Sequence, residues 1–371
     1  MNRRVSFLDL RVTDEQERRE LLAAAEAVLC HGRIVMGPEM QEFETRIAAH
    51  LGRRFAVAVN SGTDALFFGI RALGLGPGDE VITTSLSWIA TANAIALNGA
   101  TPVFADIRED LNMDPESVRR LLTPRTKAIL PVHYTGKVCE MEALLKLAAS
   151  HGVPLVEDGS QSFDARHHGR VSGAFGTLGC ISLNPMKVYA ACGEAGVIVL
   201  DDEKLHERLI ALRYNGTVNR ETCIEPSLNG RLDTMQAAFL LCRLPRVAEI
   251  IRRRREHAAL YSKLLAGLVG TPLEREGESD VYYTYTIRSS RRDELKAFLE
   301  ARGVETKIQH PLLMPEQPAY RETVRGEFTN ARRLVKEILC LPVHEKLTPS
   351  DIEYVAACIA EHGPSVPSWP R

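Results

Sequence analysis

The sequence predicts an α/β protein built on a mainly parallel sheet. Between about residues 55 and 200, short β-rich runs alternate with helical segments. The segments between the runs are long enough to form crossover helices, which cover both faces of such a sheet. A third observation concerns size, because 371 residues exceed what one hydrophobic core usually holds. We therefore expect two domains, of which the first is the larger.

The alternating pattern runs through the first part of the chain. Strands are predicted at residues 55–59, 79–83, 102–106, 127–132, 154–156, 176–182 and 195–200. Helices are predicted at residues 63–73, 89–97, 141–149 and 204–213, with a further helix after Asp114. Residues 214–231 are rich in Asn, Gly and Thr and predict a long loop, which in a compact protein is usually functional or mobile.

A long helical stretch leads into the second domain. It covers residues 234–268 and is expected to bend at Pro245, because proline lacks a backbone N–H. We place the domain boundary at this bend. The predicted large domain, with an N-terminal arm, is 1–245, and the predicted small α+β domain is 246–371.

The small domain has three predicted elements. Residues 281–288 form a strand pattern and residues 293–302 a helix pattern. A terminal helix is predicted at 349–361, with Thr348 as its N-cap and proline at its first position. The Pro/Ser-rich tail after Gly363 is predicted to be disordered.

Composition excludes several classes of protein. With a formal net charge of −2, the chain lacks the excess of positive charge that proteins use to bind nucleic acid or an anionic membrane. The eight cysteines are scattered without a C-x-x-C pair, which indicates free thiols in a reducing cytoplasm and neither disulfides nor a metal site. No signal peptide and no apolar run of transmembrane length is visible. We therefore expect a cytoplasmic protein.

Lys187 and Asp158 are the strongest catalytic candidates. Lys187 lies in the strand-to-turn run ISLNPMK, 29 positions after Asp158, and Asp158 closes an apolar strand. A lysine amine can form a Schiff base with pyridoxal 5'-phosphate (PLP), and a carboxylate can keep the pyridine nitrogen protonated so that the ring accepts electrons. Most such pairs are ordinary surface residues, so the interpretation needs support from the rest of the chain.

Further candidates follow other predicted strands. Gly62 and Thr63 begin a helix after the first strand, where free amides and the helix dipole favour a phosphate, although a simple N-cap is the alternative. Trp88 follows the second strand and can stack on a flat ring or pack in the core. Gln161 and Ser182 flank the two main candidates and could contact the ring hydroxyl and the phosphate, or only solvent and their own backbone.

Ten ordered motifs resemble one family, the PLP-dependent nucleotide-sugar aminotransferases of the DegT type. The resemblance covers nearly the whole chain. The motifs are FLDL (7–10), GP (37–38), NSGTDAL (60–66), GPGDEVI (76–82), ED (157–158), SLNPMK (182–187), GE (193–194), NGRLD (229–233), QAA (236–238) and LPVH (341–344).

The resemblance implies the fold-type-I PLP transferase architecture, with a sheet of the seven-stranded type, and assigns cofactor roles. Lys187 would join covalently to PLP and Asp158 would pair with the ring nitrogen. The remaining implied contacts are Trp88 on the ring face, Gln161 on the ring hydroxyl, and Gly62, Thr63, Ser182 and Asn229 on the phosphate. Asn229 matches the residue that the family contributes from the second subunit, so the resemblance implies a homodimer with shared active sites.

The implied reaction moves an amino group from an amino acid, expected to be L-glutamate, to a ketone carbon of a nucleotide-linked ketosugar. Its product would serve amino-sugar biosynthesis for a surface polysaccharide or a glycosylated metabolite. Candidate substrate-binding residues are His133, Tyr134, Tyr189, Arg231 and His310, and for each a structural role is the alternative. Arg231 could pair with a sugar carboxylate or only position its loop, and a neutral 6-deoxy ketosugar is an equal alternative.

The chain departs from the family pattern near the expected substrate cavity. Ala195 replaces a usual glycine and is expected to add a methyl group near the site. The usual Ile-His-Tyr-Pro run reads Ile308, Gln309, His310 and Pro311, which puts the usual histidine role in doubt.

Four other functions are alternatives to this one. A sugar dehydratase on the same scaffold would carry histidine in place of Lys187, and an aminotransferase for a non-nucleotide cyclic ketone would share the whole cofactor site. A dinucleotide-dependent dehydrogenase would need a G-x-G-x-x-G run after the first strand, which the sequence lacks. A non-catalytic PLP-binding regulator would be expected to carry a DNA-binding appendage, and none is visible.

Overall fold

The computed structural model describes residues 3–323 and 325–365, so most of the tail predicted to be disordered lies outside the described residues. The helices are α1 (Glu15–His31), α2 (Pro38–His50), α3 (Gly62–Ala72), α4 (Ala90–Leu97), α5 (Pro115–Leu121), α6 (Met141–His151), α7 (Glu203–Arg213), α8 (Thr234–Arg243), α9 (Val247–Leu264), α10 (Arg292–Ala301), α11 (Thr329–Glu337) and α12 (Pro349–His362). The strands are β1 (Phe55–Val59), β2 (Glu80–Thr84), β3 (Thr101–Ala105), β4 (Thr126–Leu130), β5 (Val156–Asp158), β6 (Arg166–His167), β7 (Arg170–Val171), β8 (Leu178–Ser182), β9 (Gly196–Leu200), β10 (Thr217–Val218), β11 (Thr222–Cys223), β12 (Glu278–Ser279), β13 (Tyr285–Arg288) and β14 (Ile338–Leu341).

The central sheet has the order β1-β9-β8-β5-β4-β2-β3. Strand β9 pairs with β1 on one side and with β8 on the other, and β8 also pairs with β5. In the second group, β2 lies between β3 and β4. Parallel bridges from Ile129 to Leu155 and from Val132 to Asp158 join the two groups across β4 and β5. Only β9 runs antiparallel to its neighbours in this sheet. The prediction of an α/β protein with a mainly parallel sheet is confirmed.

Parallel strands bring their carboxyl ends to one edge of the sheet, where α/β proteins place ligands. Burial is complete along β2, β5, β8 and β9, so these strands lie in the core. The segments that follow β1, β2, β4, β5 and β8 therefore meet at one edge, and they contain most of the candidate residues.

Most predicted elements agree with the structure to within two residues, and the exceptions have physical reasons. The strand predicted at 281–288 begins only at Tyr285, because the residues before it form a loop. Helices α1 and α2 were not predicted, and residues 214–231 contain the short hairpin of β10 and β11. Pro245 bends the long helix as predicted: a 3₁₀ turn over Leu244–Arg246 separates α8 from α9.

Helix α9 connects the core of the large sheet to a C-terminal hydrophobic cluster. Its first residue, Val247, packs with the residues behind β8 and β9. Ala258 and Tyr261 pack in the C-terminal cluster with residues of β13, β14 and α12. Val5 also belongs to that cluster and forms a parallel bridge with Val304, so this residue of the N-terminal arm packs against the C-terminal part of the chain. The boundary between residues 245 and 246 stays a prediction.

Two further features concern the helices and the cysteines. Within residues 3–323 and 325–365, no helix combines the length and apolar character that crossing a bilayer requires. All eight cysteines are free thiols.

The terminal helix gives a test of the predicted cap. Thr348 Oγ1 accepts a hydrogen bond from Asp351 N at 3.2 Å, and the Asp351 carboxylate accepts one from Thr348 N at 2.9 Å. Since this reciprocal pair satisfies two backbone donors, Thr348→Ala should lower the free energy of unfolding by about 1 kcal/mol in urea titrations. Thr348→Ser keeps the hydroxyl and should retain most of that stability. Equal losses in both variants would contradict the cap.

Candidate active site

Five segments meet at the carboxyl edge of the sheet. They are residues 60–63 after β1, 85–88 after β2, 131–135 after β4, the end of β5, and 182–187 at the end of β8. Because β5 and β8 are hydrogen-bonded parallel neighbours, with Asp158 beside Cys180, Asp158 and the Lys187 turn leave the sheet side by side. The structure therefore brings the two main catalytic candidates to one edge.

Asp158 is held by donors on both carboxylate oxygens. Thr91 Oγ1 donates to Oδ2 at 2.9 Å, and Ser160 N donates to Oδ1 at 3.1 Å. Asp158 is 3% exposed and Thr91 is 1% exposed, so water does not compete for this hydrogen bond. A buried carboxylate held in this way presents a fixed negative charge, which is what a protonated ring nitrogen requires.

The neighbouring carboxylate, Glu157, points into the protein and has a structural role. It accepts hydrogen bonds from His133 Nε2 at 2.9 Å, Gly173 N at 2.8 Å, Phe175 N at 2.7 Å and Gly176 N at 2.6 Å. Glu157 is fully buried. Four donors on one carboxylate fix the end of β5 to the end of β4 and to the segment before β8.

The start of α3 lies directly against Ser182. A Cβ built on Gly62 would lie 2.4 Å from Ser182 Cβ, so only glycine permits this approach. Ser61 caps the helix by accepting from Asp64 N at 3.0 Å. Within the described residues, Gly62 N, Thr63 N and Ser182 Oγ have no hydrogen-bond partner. The N-cap and the phosphate interpretations are therefore compatible, because the cap uses a different amide.

Lys187 sits in a tight turn, with its own N–H donating to Asn184 O at 3.0 Å. Its Nζ lies 4.7 Å from the centroid of the Tyr283 ring, a cation–π distance. The side chain also borders a cleft of about 930 Å³. The cleft is lined by residues 8–10 and 12–14 of the N-terminal arm, by 185–192, by the start of α9 and by 344–346. The amine therefore lies at the boundary of a space large enough for a small-molecule ligand.

An aromatic group surrounds His310. The rings of Trp88 and Tyr134 lie 6.0 Å and 5.8 Å from the imidazole, measured between centroids. Trp88 is 63% exposed, which leaves its indole free to cover a ligand and favours the stacking interpretation over core packing. Burial, with smaller contributions from Lys307 and Lys187, lowers the pKa of His310 to about 4, so the imidazole is neutral at pH 7. Its backbone φ of 54° is an unusual left-handed conformation for histidine.

Gln161 is oriented by the backbone after β4. Its Oε1 accepts from Thr135 N at 3.0 Å, and the side chain is 5% exposed. The side-chain NH₂ makes no hydrogen bond within the described residues, so it is available as a donor to a ring hydroxyl.

Asn229 and Arg231 lie on one segment beside β1. Asn229 is exposed and pairs through its backbone with Tyr214. The guanidinium carbon of Arg231 lies 4.3 Å from the centroid of the Tyr214 ring. This contact favours a role for Arg231 in positioning its loop. The predicted phosphate and carboxylate roles of the two residues stay predictions.

Three predicted substrate contacts are buried side chains, and for His133 and Tyr189 the prediction needs correction. His133 is fully buried, and both its ring nitrogens are used, by Glu157 and by Cys139 N at 3.1 Å. Tyr189 is 1% exposed and donates to Leu240 O at 2.7 Å. Tyr134 is also 1% exposed, and burial raises the pKa of its phenol well above the usual value. The ring nitrogens of His133 and the hydroxyl of Tyr189 are therefore occupied by protein partners in place of the predicted sugar contacts. The phenol of Tyr134 has no hydrogen-bond partner within the described residues, so its predicted role stays a prediction.

Ala195 is a further correction. Its side chain is fully buried in the hydrophobic cluster behind β8 and β9, with Leu183 and Ala237. The extra methyl group therefore fills core space and does not narrow the substrate cavity.

The sequence interpretation missed Thr91, Tyr283 and the backbone contact from Thr135. Thr91 lies three positions after Trp88, at the start of a predicted helix. Its closeness in sequence to a ring-stacking candidate could have indicated a place in the site. Tyr283 lies 96 positions after Lys187, and nothing in the sequence connects the two.

Comparisons with known proteins agree with the geometry. The sequence profile described as the DegT/DnrJ/EryC1/StrS aminotransferase family matches residues 15–360. A dTDP-3-amino-3,4,6-trideoxy-alpha-D-glucose transaminase of Streptomyces venezuelae is 41% identical over 92% of this chain and 91% of its own length. A UDP-2-acetamido-2-deoxy-3-oxo-D-glucuronate aminotransferase of Pseudomonas aeruginosa is 35% identical over 96% and 99%. A pleiotropic regulatory protein of Geobacillus stearothermophilus is 37% identical over 96% and 98%.

Among solved structures, S. venezuelae DesV in complex with a ketimine intermediate superposes on this chain with a TM-score of 0.94. The two sequences are 39% identical, and the match covers 98% of this chain and 100% of DesV. The expected fold-type-I architecture is confirmed by this agreement.

The lowered pKa of His310 gives a pH-dependent prediction. Between pH 6.5 and the folded value of about 4, the unfolded chain binds more protons than the folded one, so this group makes the folded protein less stable as pH falls. In urea titrations, His310→Gln should lose less stability than the wild type on acidification from pH 6.5 to 4.5.

The measured quantity is the difference in free energy of unfolding between the wild type and His310→Gln at each pH. Burial raises the pKa of Asp280 to about 7, so that group titrates in the same window with the opposite effect on stability, equally in both proteins. Parallel pH profiles for the wild type and His310→Gln would contradict the neutral, buried imidazole.

Proposed function

Because the chain belongs to the DegT/DnrJ/EryC1/StrS aminotransferase family, we propose that it is a PLP-dependent aminotransferase acting on a nucleotide-linked ketosugar. The amino donor is L-glutamate, and the product is an amino sugar for a surface polysaccharide or a glycosylated metabolite. One observation carries the proposal: Lys187, the Thr91-held Asp158 and the start of α3 lie at one edge of the sheet. The streptomycete and pseudomonad relatives are named for transamination of dTDP- and UDP-linked sugars.

The residues at the sheet edge fit PLP. The free amides of Gly62 and Thr63 and the hydroxyl of Ser182 suit its phosphate, and the close approach of Gly62 to Ser182 makes a cradle that any Cβ would fill. Asp158 suits the ring nitrogen, and the exposed indole of Trp88 suits the ring face. When bound, PLP supplies an aldehyde that carries the amino group and a ring that accepts electrons from the broken Cα–H bond.

The protein's own groups then have distinct tasks. Lys187 Nζ would hold the coenzyme aldehyde, and its free amine would take up and return the proton of the donor's α-carbon. Asp158 would place a negative charge at the ring nitrogen, and the NH₂ group of Gln161 would donate to the ring hydroxyl. His310 stays neutral beside Lys187, so it adds no second positive charge near the amine.

The cleft beside Lys187 supports a substrate larger than an amino acid. Its volume of about 930 Å³ is in the range of sites for nucleotide-sized ligands. Arg253 lines the cleft, and its guanidinium has no hydrogen-bond or ion-pair partner within the described residues. Such a group suits a diphosphate.

We further propose a homodimer in which Asn229 reaches the phosphate of the partner subunit. Asn229 is exposed on a segment that also exposes apolar side chains, with Ile224 61% and Leu228 52% accessible. An exposed apolar segment of this kind usually marks a protein–protein contact. A second copy would cover it and bring Asn229 to the neighbouring site.

The catalytic role of Lys187 is tested by its removal. Lys187→Ala should lose at least about a thousandfold in 2-oxoglutarate formation from glutamate and a nucleotide ketosugar, because no other amine replaces it. Lys204→Ala, an exposed lysine on α7, is the matched control and should keep wild-type activity. Turnover by Lys187→Ala, or none by the wild type with any nucleotide ketosugar, would overturn the proposed function.

Mixing two inactive variants tests the shared site. Asn229→Asp places a negative charge where a phosphate is expected, and Lys187→Ala removes the amine. If the residues come from different subunits, mixed dimers contain one intact site, and about a quarter of all sites should recover in a statistical mixture. Lys187→Ala mixed with Asp158→Ala is the control, since those residues share a subunit and no intact site can form. No recovery in the first mixture would contradict a contribution from the partner.

A further inference from the structure

We propose that Thr91 is a positioning residue of the active site: its hydroxyl fixes the Asp158 carboxylate and ties the turn that carries Trp88 to it. The inference rests on the proposed function, since it concerns the ring partner and the ring-stacking residue of that site. Thr91 would contact neither coenzyme nor substrate.

The first argument is the direction of the hydroxyl. A threonine in a helix usually bonds to a carbonyl three or four residues earlier. Thr91 Oγ1 instead donates to Asp158 Oδ2 at 2.9 Å, a residue 67 positions away on β5. With Ser160 N on Oδ1, each carboxylate oxygen has one protein donor, so the plane of the carboxylate is set. Thr91 supplies the only side-chain donor to this carboxylate among the described residues.

The second argument concerns Trp88. Its indole is 63% exposed, so side-chain packing alone does not fix the turn from which it projects. That turn closes through Thr91 N, which donates to Trp88 O at 3.2 Å. Thr91 is 1% exposed, and its hydroxyl is hydrogen-bonded to Asp158 on β5. The hydrogen bond therefore fixes the position of the turn relative to Asp158. One residue thus sets the spacing between the group facing the ring nitrogen and the group covering the ring.

Removal of the hydroxyl should change coenzyme binding and turnover together. Thr91→Val keeps the branched shape and loses the donor, so the Asp158 carboxylate can rotate. Hydrogen bonds to charged groups correspond to roughly tenfold or more in an equilibrium constant. The KM for the ketosugar should change little, because the buried Thr91 lies away from the cleft.

The experiment uses the full chain with Trp369→Phe, which makes Trp88 the only tryptophan. In this background, the apoproteins of Thr91→Val, Thr91→Ser and the matched control Thr83→Val are titrated with PLP, and quenching of Trp88 fluorescence gives the dissociation constant. Thr83 is fully buried and donates to Leu130 O at 2.8 Å, so its valine variant makes the same chemical change without touching Asp158.

We expect the dissociation constant for PLP to rise about tenfold or more in Thr91→Val, with a similar fall in kcat. Thr91→Ser, which keeps the donor, should stay within about twofold of the wild type, as should Thr83→Val. Coenzyme binding and kcat in Thr91→Val equal to those of Thr83→Val would overturn the inference while leaving the proposed function intact. A wild-type protein that takes up no PLP would overturn both. A loss shared equally by Thr91→Val and Thr83→Val would show a general effect on folding and would also overturn the positioning role.

Discussion

The fully buried carboxylate of Glu157 holds the active-site edge together. Its four donors come from the end of β4, through His133, and from residues 173–176 before β8. A buried charge without partners would be strongly destabilising, so this position requires all of its hydrogen bonds. Because Asp158 is the next residue along β5, the same hydrogen bonds that satisfy Glu157 fix the backbone from which Asp158 projects. The carboxylate proposed to face the ring nitrogen is thus placed by a structural one.

The amine of Lys187 has no charged side chain bound to it within the described residues. His310 is neutral, and the Lys187 amine rests near the face of Tyr283 without an acidic partner within the described residues. An amine that is free of a salt bridge can move towards an aldehyde and away again without breaking a strong contact. Asp158, by contrast, is held on both oxygens. The site combines an amine without a salt bridge and a carboxylate held on both oxygens, which suits the proposed reaction, in which only the amine changes partners.

The sequence predicted the β-strands after which the candidates follow, because the alternation of short apolar runs and helices is a local property of the chain. The bend at Pro245 and the cap at Thr348 were predicted for the same reason, since each depends on the chemistry of one or two residues. Residue type alone did not distinguish a side chain that faces the cleft from one that faces the core. Tyr189 lies close in sequence to Lys187, and His133 and Tyr134 follow strand β4, yet all three side chains are buried.

The sequence by itself determined the fold class and the family, and it predicted Lys187 and Asp158 as catalytic candidates, because the motifs that carry these conclusions are short and continuous. Tertiary structure decided the contacts between distant segments: Thr91 on Asp158, Tyr283 beneath the Lys187 amine, and His310 beside Trp88. These contacts depend on the sheet order and on how the C-terminal segment packs against the strand ends. Neither is encoded in a local pattern, because each arises only when buried apolar surface draws separate parts of the chain together.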